Sequence, residues 1–232
     1  MFIKWPGRSK PVDLSKNYAD PGIALKQREL VDKQLEAMRD GNPPVHFKVA
    51  GLVLSQLREQ TGLTSLRVLD AGCGSAYYSE ILNHFVPGWI RYAGVDFNGG
   101  MVRMARQCYP RLPLARMDLR NLAVFDASFD LVMSGAAIVH VKEWDVAARE
   151  LSRVTRRWLM LHRTLVYKAK ATSVNTERHY DTDVYRVRIN EEELLALMAN
   201  QGMALVMKCG AGEGEFPPDE ENNTYLFERR GS

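Results

Sequence analysis

Between Ile23 and Arg39, apolar residues recur as Val31, Leu35 and Met38 among many charges, a spacing of four and three that gathers on one face of an amphipathic helix. Gly41, Asn42, Pro43 and Pro44 stop it. A second helical pattern runs over 47–60, with Val49, Leu52, Val53 and Leu57 on one side and Gly62 as its natural stop. The period then changes. Leu66-Arg67-Val68-Leu69-Asp70 reads as a short strand, followed by a glycine-rich turn and a helical stretch carrying Tyr78, Ile81, Leu82 and Phe85. The alternation continues, with strands expected over 91–95, 114–117, 129–134 and 158–161. Between them, helices are expected over 99–108, with Met101, Met104, Ala105 and Cys108 inward, and over 144–154, with Trp144, Ala147, Leu151 and Val154 inward. Apolar strands separated by helices predict a parallel sheet covered on both faces, a doubly wound α/β architecture.

The last third has a different texture. Residues 165–189 are polar and without a consistent period, save a strand expected over 184–189. Asn190 followed by Glu193 forms a capping-box pattern, and the acids Glu191, Glu192 and Glu193 suit the positive end of a helix that Gly202 closes. Strands over 204–208 and 224–228 then flank a Gly-, Pro- and Glu-rich loop and predict a terminal antiparallel pair.

Composition narrows the class. A chain of 232 residues, 46% hydrophobic and 25% charged, can bury a sizeable core and suits one domain with additions. Its longest near-continuous apolar stretch, 131–141, falls short of the roughly 20 residues a membrane-spanning helix needs. The opening MFIKWPGRSK sets Pro6, Gly7 and charges where a signal peptide needs an apolar core, so a cytoplasmic protein is expected. Cys73, Cys108 and Cys209 are odd in number and widely spaced, which predicts free buried thiols. His46, His84, His162 and His179 stand at no metal-ligand spacing, and no metal is expected. A net charge of +3 is too small for the footprint of most nucleic-acid binders. The charge is nonetheless segregated. Residues 149–170 carry seven bases and one acid, whereas 213–221 carry five acids and no base.

The stretch VLDAGCGSAYYS, Val68 to Ser79, carries the most chemistry. Gly72 and Gly74 permit a tight turn and close approach of a ligand, and the N–H groups of the following helix face the same crevice. A dinucleotide fingerprint would place glycine at 77, where this chain has Tyr, and no phosphate-loop pattern ending in Gly-Lys-Ser/Thr is present. Asp96 ends the next strand in AGVDFN, where a carboxylate can accept both hydroxyls of a ribose. With nothing built for a pyrophosphate, these residues favour an adenosine attached to a compact, amine-bearing group.

The segments VLDAGCGSAYYS, GVDFNGGMVRMA, LARMDLRNL and FDLVMSGAAIVHV stand in the order and spacing of a class I S-adenosylmethionine-dependent methyltransferase, which the chain resembles over 66–161. The resemblance implies a Rossmann-like, mostly parallel seven-stranded sheet with a terminal antiparallel strand pair. It implies S-adenosylmethionine as cofactor and S-adenosylhomocysteine as product. It places Asp70, Ala71, Gly72, Cys73 and Gly74 in the first cofactor motif, with the acid ordering the loop and helping to hold the methionine amine. Asp96 would bind the ribose hydroxyls, with Phe97 beside the adenine, Asn98 next to it and Met101 below. Asp118 would take the adenine amine beside the Leu119 N–H, and Ser134 and Gly135 would lie where the methyl group points. Two departures stand out: Ala76 replaces the third small glycine, and Arg156-Arg157-Trp158 replaces the usual Pro-Gly-Gly turn.

Methyl transfer to a hydroxyl calls for proximity, orientation and a base. His140, just past the fourth strand, is the candidate base, against the alternative of a structural histidine. Part of the basic run could meet an anionic substrate, although such runs more often form a solvated face. Residues 1–65 are expected to form helices on the substrate side, including Lys48, and 66–232 the methyltransferase domain. Within it, 164–190 would be an insertion covering the substrate, with Asn175, Arg178, His179, Tyr180, Tyr185 and Arg186 as candidates. The acceptor is expected to be a small or glycan-like molecule methylated at oxygen. Protein or RNA methylation, and a non-catalytic cofactor-binding protein of the same fold, are the alternatives.

Overall fold

The computed structural model describes residues 21–179, 181–211 and 216–231; the N-terminal decapeptide, Tyr180 and part of the acidic loop lie outside the described residues. Two helices lead, α1 (Pro21–Arg39) and α2 (Val45–Thr61). The amphipathic stripe of α1 is buried at Val31, Leu35 and Met38, and α2 ends as its sequence predicts, at Gly62 with φ +61°.

The alternating part then runs β1 (Leu66–Ala71), α3 (Tyr78–Phe85), β2 (Ile90–Asp96), α4 (Gly99–Cys108), β3 (Leu114–Arg116), β4 (Phe129–Gly135), a short 3-10 turn (Ile138–His140), α5 (Trp144–Val154) and β5 (Thr155–Tyr167). After it come β6 (Ser173–His179), β7 (Thr182–Asn190), α6 (Glu191–Asn200), β8 (Met203–Gly210) and β9 (Glu220–Arg229). The sheet order is β3-β2-β1-β4-β5-β7-β6, with β9 pairing both β5 and β8. Neighbours from β3 to β5 are parallel, whereas β9 is antiparallel to β5 and to β8. The doubly wound sheet and its terminal antiparallel pair are as expected, but the described sheet has nine strands instead of seven. The extra two form the hairpin β6–β7.

Alternation along the strands divides the core. Leu66, Val68, Leu131, Met133, Trp158 and Met160 pack on one face with α1, α2 and α3. Leu69, Ala71, Val132, Leu159 and Leu161 pack on the other with α5 and α6. Burial of both faces explains why β1 and β4 read as continuous apolar runs. Asn190 caps α6 by accepting a hydrogen bond from the Glu193 N–H at 3.0 Å.

Three expectations require correction. Strand β5 extends from Thr155 to Tyr167, well beyond 158–161. The segment expected to have little structure before residue 184 supplies β6, a strand with no buried position and therefore no apolar alternation to read. Of the three thiols expected to be buried only Cys73 is: Cys209 is partly exposed, and Cys108 is exposed because the inward face of α4 runs through Met101, Val102 and Ala105 and its last residue overhangs.

The hairpin's placement follows from the edges of β5. One edge pairs β9 over 158–167, so β7, which pairs Val166 and Tyr167, must use the edge that β4 occupies earlier. The hairpin therefore lies beyond the C-terminal end of β4. Among the described residues no helix is long and apolar enough to cross a membrane.

Candidate functional site

The turn after β1 is pinned from three sides. Gly72 and Gly74 have φ of +84° and +55°, where an L side chain is strained. The N–H groups of Gly72 and Cys73 both donate to the Val95 carbonyl, at 2.8 and 2.9 Å, fixing the turn to the end of β2. A Cβ at Gly72 would stand 2.1 Å from the Ala137 Cβ, so the turn passes directly against the segment after β4. A Cβ at Gly74 would meet the Gln27 amide at 2.7 Å. Gln27 also accepts the Ser75 N–H at 3.1 Å, which ties α1 to the turn.

Asp96 joins the two loops. Its Oδ2 accepts the Gly74 N–H and its Oδ1 the Asn98 N–H, each at 2.8 Å. Burial raises its pKa, and the two N–H donors oppose that rise. A carboxylate offers about four lone-pair sites, so two acceptor positions are left for a ligand in the crevice. Asn98 caps α4 by accepting the N–H groups of Gly100 and Met101, while the Arg116 guanidinium stacks on Phe97 with its Cζ 5.5 Å from the ring centre.

These loops open on a cavity of about 410 Å³ between the carboxyl ends of β1 and β4, where the strand order reverses. Of the residues expected to bind cofactor, Gly72, Gly74, Asp96, Phe97, Asn98, Met101, Asp118, Leu119 and Gly135 line it, as does His140. Asp70, Ala71, Cys73 and Ser134 lie behind its wall; all four are buried. Asp70 accepts the Tyr92 hydroxyl at 2.6 Å, and burial, reinforced by the Asp96 charge, lifts its pKa to about 7. Asp118 is held by Arg120, through the backbone N–H at 2.9 Å and the guanidinium at 2.7 Å, and this pairing lowers its pKa. Ala76 occupies the left-handed region at φ +60°, the conformation that glycine would adopt without strain.

Beyond β4 the wall belongs to other elements. His140 Nδ1 lies 2.8 Å from the Tyr185 carbonyl and its Nε2 3.4 Å from Arg186 Nη1. A carbonyl only accepts and a guanidinium only donates, so the imidazole is neutral with the proton on Nδ1 and the lone pair on Nε2. Burial, then the charges of Arg186 and Arg163, hold its pKa down to about 3 despite the Tyr185 carbonyl. His179, Tyr185, Arg186 and Arg163 line the same side. Arg163 sits in β5 at φ +57°, at the irregularity where the register with β9 shifts. Ile23 and Gln27 of α1 close the other side, and Lys26 forms an ion pair with Asp181 at the hairpin turn. Among the described residues no cluster of three or more His, Cys, Asp or Glu side chains is placed to hold a metal.

Of the covering residues expected from sequence, His179, Tyr185 and Arg186 reach the cavity, Asn175, Arg178 and Lys48 do not, and Tyr180 lies outside the described residues. Gln27, Tyr77, Arg120 and Arg163 are lining residues that motif reasoning missed. Arg163 was legible only as one member of a basic run, and nothing local marks Gln27, which meets Ser75 across 48 residues.

Comparison with known proteins bears on this geometry. The family described as "Methyltransferase domain" matches residues 69–158, the stretch that builds the glycine turn, Asp96, Asp118 and the end of β4. A protein of Mycobacterium tuberculosis named as a probable S-adenosylmethionine-dependent methyltransferase is 30% identical over 154 residues, which is 65% of this chain and 53% of the relative. Residues 69–158 belong to that methyltransferase-domain family. The chain spans about half the length of that mycobacterial relative. The malonyl-[acyl-carrier protein] O-methyltransferase of Erwinia pyrifoliae is 36% identical over 97 residues, 40% of this chain and 34% of the relative. In fold, the chain is similar to the magnesium protoporphyrin IX methyltransferase of Synechocystis solved with bound S-adenosylmethionine. That match has a TM-score of 0.59 at 16% identity and covers 86% of this chain and 83% of the other.

The residues present fit the family's cofactor. A glycine cradle that any Cβ at 72 would fill, a carboxylate with acceptor positions left at the end of β2, and apolar walls from Ile23, Met101 and Leu119 suit an adenosine with a slim amino-acid tail.

Proposed function

We propose that this protein is a methyltransferase that moves a methyl group from S-adenosylmethionine to a hydroxyl oxygen of a small or glycan-like acceptor. Bound, the cofactor supplies a methyl carbon already activated on a sulfonium. The protein's residues then have to hold, orient and exclude water. Asp96 would hold the ribose hydroxyls, Phe97, Met101 and Leu119 the adenine, and the Gly72–Gly74 turn the amino-acid end. Gln27, from α1, would steady that turn. Helix α1 thereby serves the cofactor side, while the β6–β7 hairpin, within 164–190, closes the acceptor side.

His140 would receive the acceptor's proton on Nε2 as the acceptor displaces the Arg186 Nη1 that stands 3.4 Å from it. Its fixed tautomer points the lone pair, not an N–H, away from Tyr185. The observation that carries this reading is the division of one cavity, with a carboxylate-bearing nucleoside end over β1–β3 and a base-bearing end over β4–β7. Relatives named for malonyl-acyl carrier protein and demethylmenaquinone support a small acceptor group.

The test incubates the protein with S-adenosylmethionine labelled in its methyl group and fractionated cell extract. Label in a small-molecule fraction supports the reading. Label only in protein or RNA redirects it to a macromolecular acceptor, and S-adenosylhomocysteine binding without any label points to a cofactor-binding protein that does not transfer.

A further inference from the structure

The main-chain donors of the glycine turn are already in use. The N–H groups of Gly72 and Cys73 go to the Val95 carbonyl, that of Gly74 to Asp96 Oδ2, that of Ser75 to Gln27 Oε1 and that of Ala76 to the Cys73 carbonyl, at 2.8 to 3.1 Å. Every N–H from 72 to 76 is thus engaged within the protein, which fixes the shape of the turn. The Ser75 hydroxyl is buried and does not reach the cavity. The residues of α1 and of this turn that line the cavity, Ile23, Gln27, Gly72, Gly74 and Tyr77, carry no charge. The amino-acid tail of the cofactor ends in a carboxylate, and a carboxylate taken out of water needs hydrogen-bond donors.

Gln27 supplies such a donor. It stands four residues after Ile23 on α1, so both side chains meet the cavity from one face of the helix. That helix is firmly seated: Ile23 and Ala24 pack with Met101 of α4, and Arg28 donates to the Tyr109 hydroxyl at 3.3 Å. The Gln27 carboxamide lies over Gly74, with Nε2 and Oε1 each 2.7 Å from the place a Cβ would take. An N–H only donates, so the bond from Ser75 goes to the amide oxygen and fixes which end of the carboxamide is nitrogen. Among the described residues no acceptor meets that nitrogen, and it stays open to the cavity that Gln27 lines. The amide therefore presents two N–H bonds at the turn whose own donors are spent.

We propose that Gln27 is a specificity-determining residue for the methyl donor: its carboxamide nitrogen binds the α-carboxylate of the cofactor's amino-acid tail while its oxygen holds the Ser75 N–H. This rests on the methyltransferase reading of the cavity and names the part of the donor that α1 selects. One side chain thereby shapes the turn and binds the group that the turn's own N–H groups are not free to take. Gln27 lies outside residues 69–158, the stretch that matches the family. A hydrogen bond to a charged group is expected to contribute about tenfold in affinity.

The test titrates the full chain by calorimetry with two ligands, S-adenosylhomocysteine and decarboxylated S-adenosylhomocysteine, which keeps the nucleoside, the sulfur and the amine. Wild type should bind the first at least about tenfold more tightly than the second. Gln27→Glu keeps an oxygen for the Ser75 N–H and replaces the N–H donors with a second oxygen. It should bind S-adenosylhomocysteine about tenfold or more weakly than wild type, without weakening the decarboxylated ligand by more than about threefold. Gln27→Met removes both bonds and loosens the turn for either ligand, so the ratio of its two affinities should fall to near one. That ratio is read within a single variant and is independent of any loss of stability, which urea unfolding follows separately. The proposal is overturned if wild type binds both ligands equally, if Gln27→Glu binds S-adenosylhomocysteine as wild type does, or if each variant loses the same factor for both ligands. The last result would leave Gln27 to the turn alone, and in all three the cofactor reading stands. A wild-type protein that binds neither ligand defeats the cofactor reading itself.

Discussion

On the β1–β3 side of the cavity the groups that face a ligand are mostly main chain or are tied to it. Gly72 and Gly74 offer bare backbone, and Asp96 is held by two N–H donors from the loops it joins. On the β4–β7 side the facing groups are long or ring-bearing side chains, Arg163, Arg186, His140 and His179, carried by a bulged strand, the turn after β4 and the β6–β7 hairpin. The contrast has a physical basis. A cofactor of fixed shape can be met by a rigid backbone, whose hydrogen bonds need no reordering at binding. An acceptor that differs between relatives would be met by side chains, which can change without disturbing the sheet.

The two sides should therefore fail differently. The largest effect is expected from Gly72→Ala: the new methyl has no room beside Ala137 and the residue is left-handed, so stability should fall by about 2–4 kcal/mol. S-adenosylhomocysteine binding should fall with it. Urea unfolding and calorimetry measure both, and a variant as stable as wild type would mean that the turn is looser than the structure places it.

His140→Ala should act on the other side alone. Transfer to the active extract fraction should drop by about tenfold or more. Retention within about threefold of wild type would remove His140 as the base.

A smaller effect concerns pH. Asp70 is buried behind the glycine turn with its pKa raised from 3.8 to about 7, so the folded protein binds its proton more tightly than the unfolded chain does. Its contribution to stability is complete below pH 4 and is lost as pH rises toward 7. The melting temperature of wild type should accordingly fall across that window relative to Asp70→Asn. An identical pH profile for the two proteins would show that Asp70 titrates normally. The smallest effect is Ala76→Gly. Relief of a left-handed alanine and the added freedom of the unfolded chain nearly cancel, so stability should change by less than about 1 kcal/mol in denaturant unfolding.

The same contrast governs what could be read from sequence. Gly72, Gly74, Asp96 and Asp118 are legible because each ends or closely follows a strand, and the motif's spacing is the sheet's own geometry. Asp70 was read with the glycine turn, but nothing local reveals that Tyr92, on the next strand, donates to its carboxylate behind the wall. Strand β6 escaped notice because none of its positions is buried, so polar residues occupy both faces. Arg163 and Gln27 depend on a bulge and on a contact across 48 residues, features that no short window of sequence contains.

The most direct test of the divided cavity is a side-by-side calorimetric titration of S-adenosylhomocysteine into wild type, Asp96→Ala and His140→Ala. The account predicts that Asp96→Ala binds about tenfold or more weakly, having lost both the ribose acceptor and the link between two loops, while His140→Ala stays within about threefold of wild type. Equal affinity in Asp96→Ala and wild type, or a loss in His140→Ala as large as that in Asp96→Ala, would contradict it.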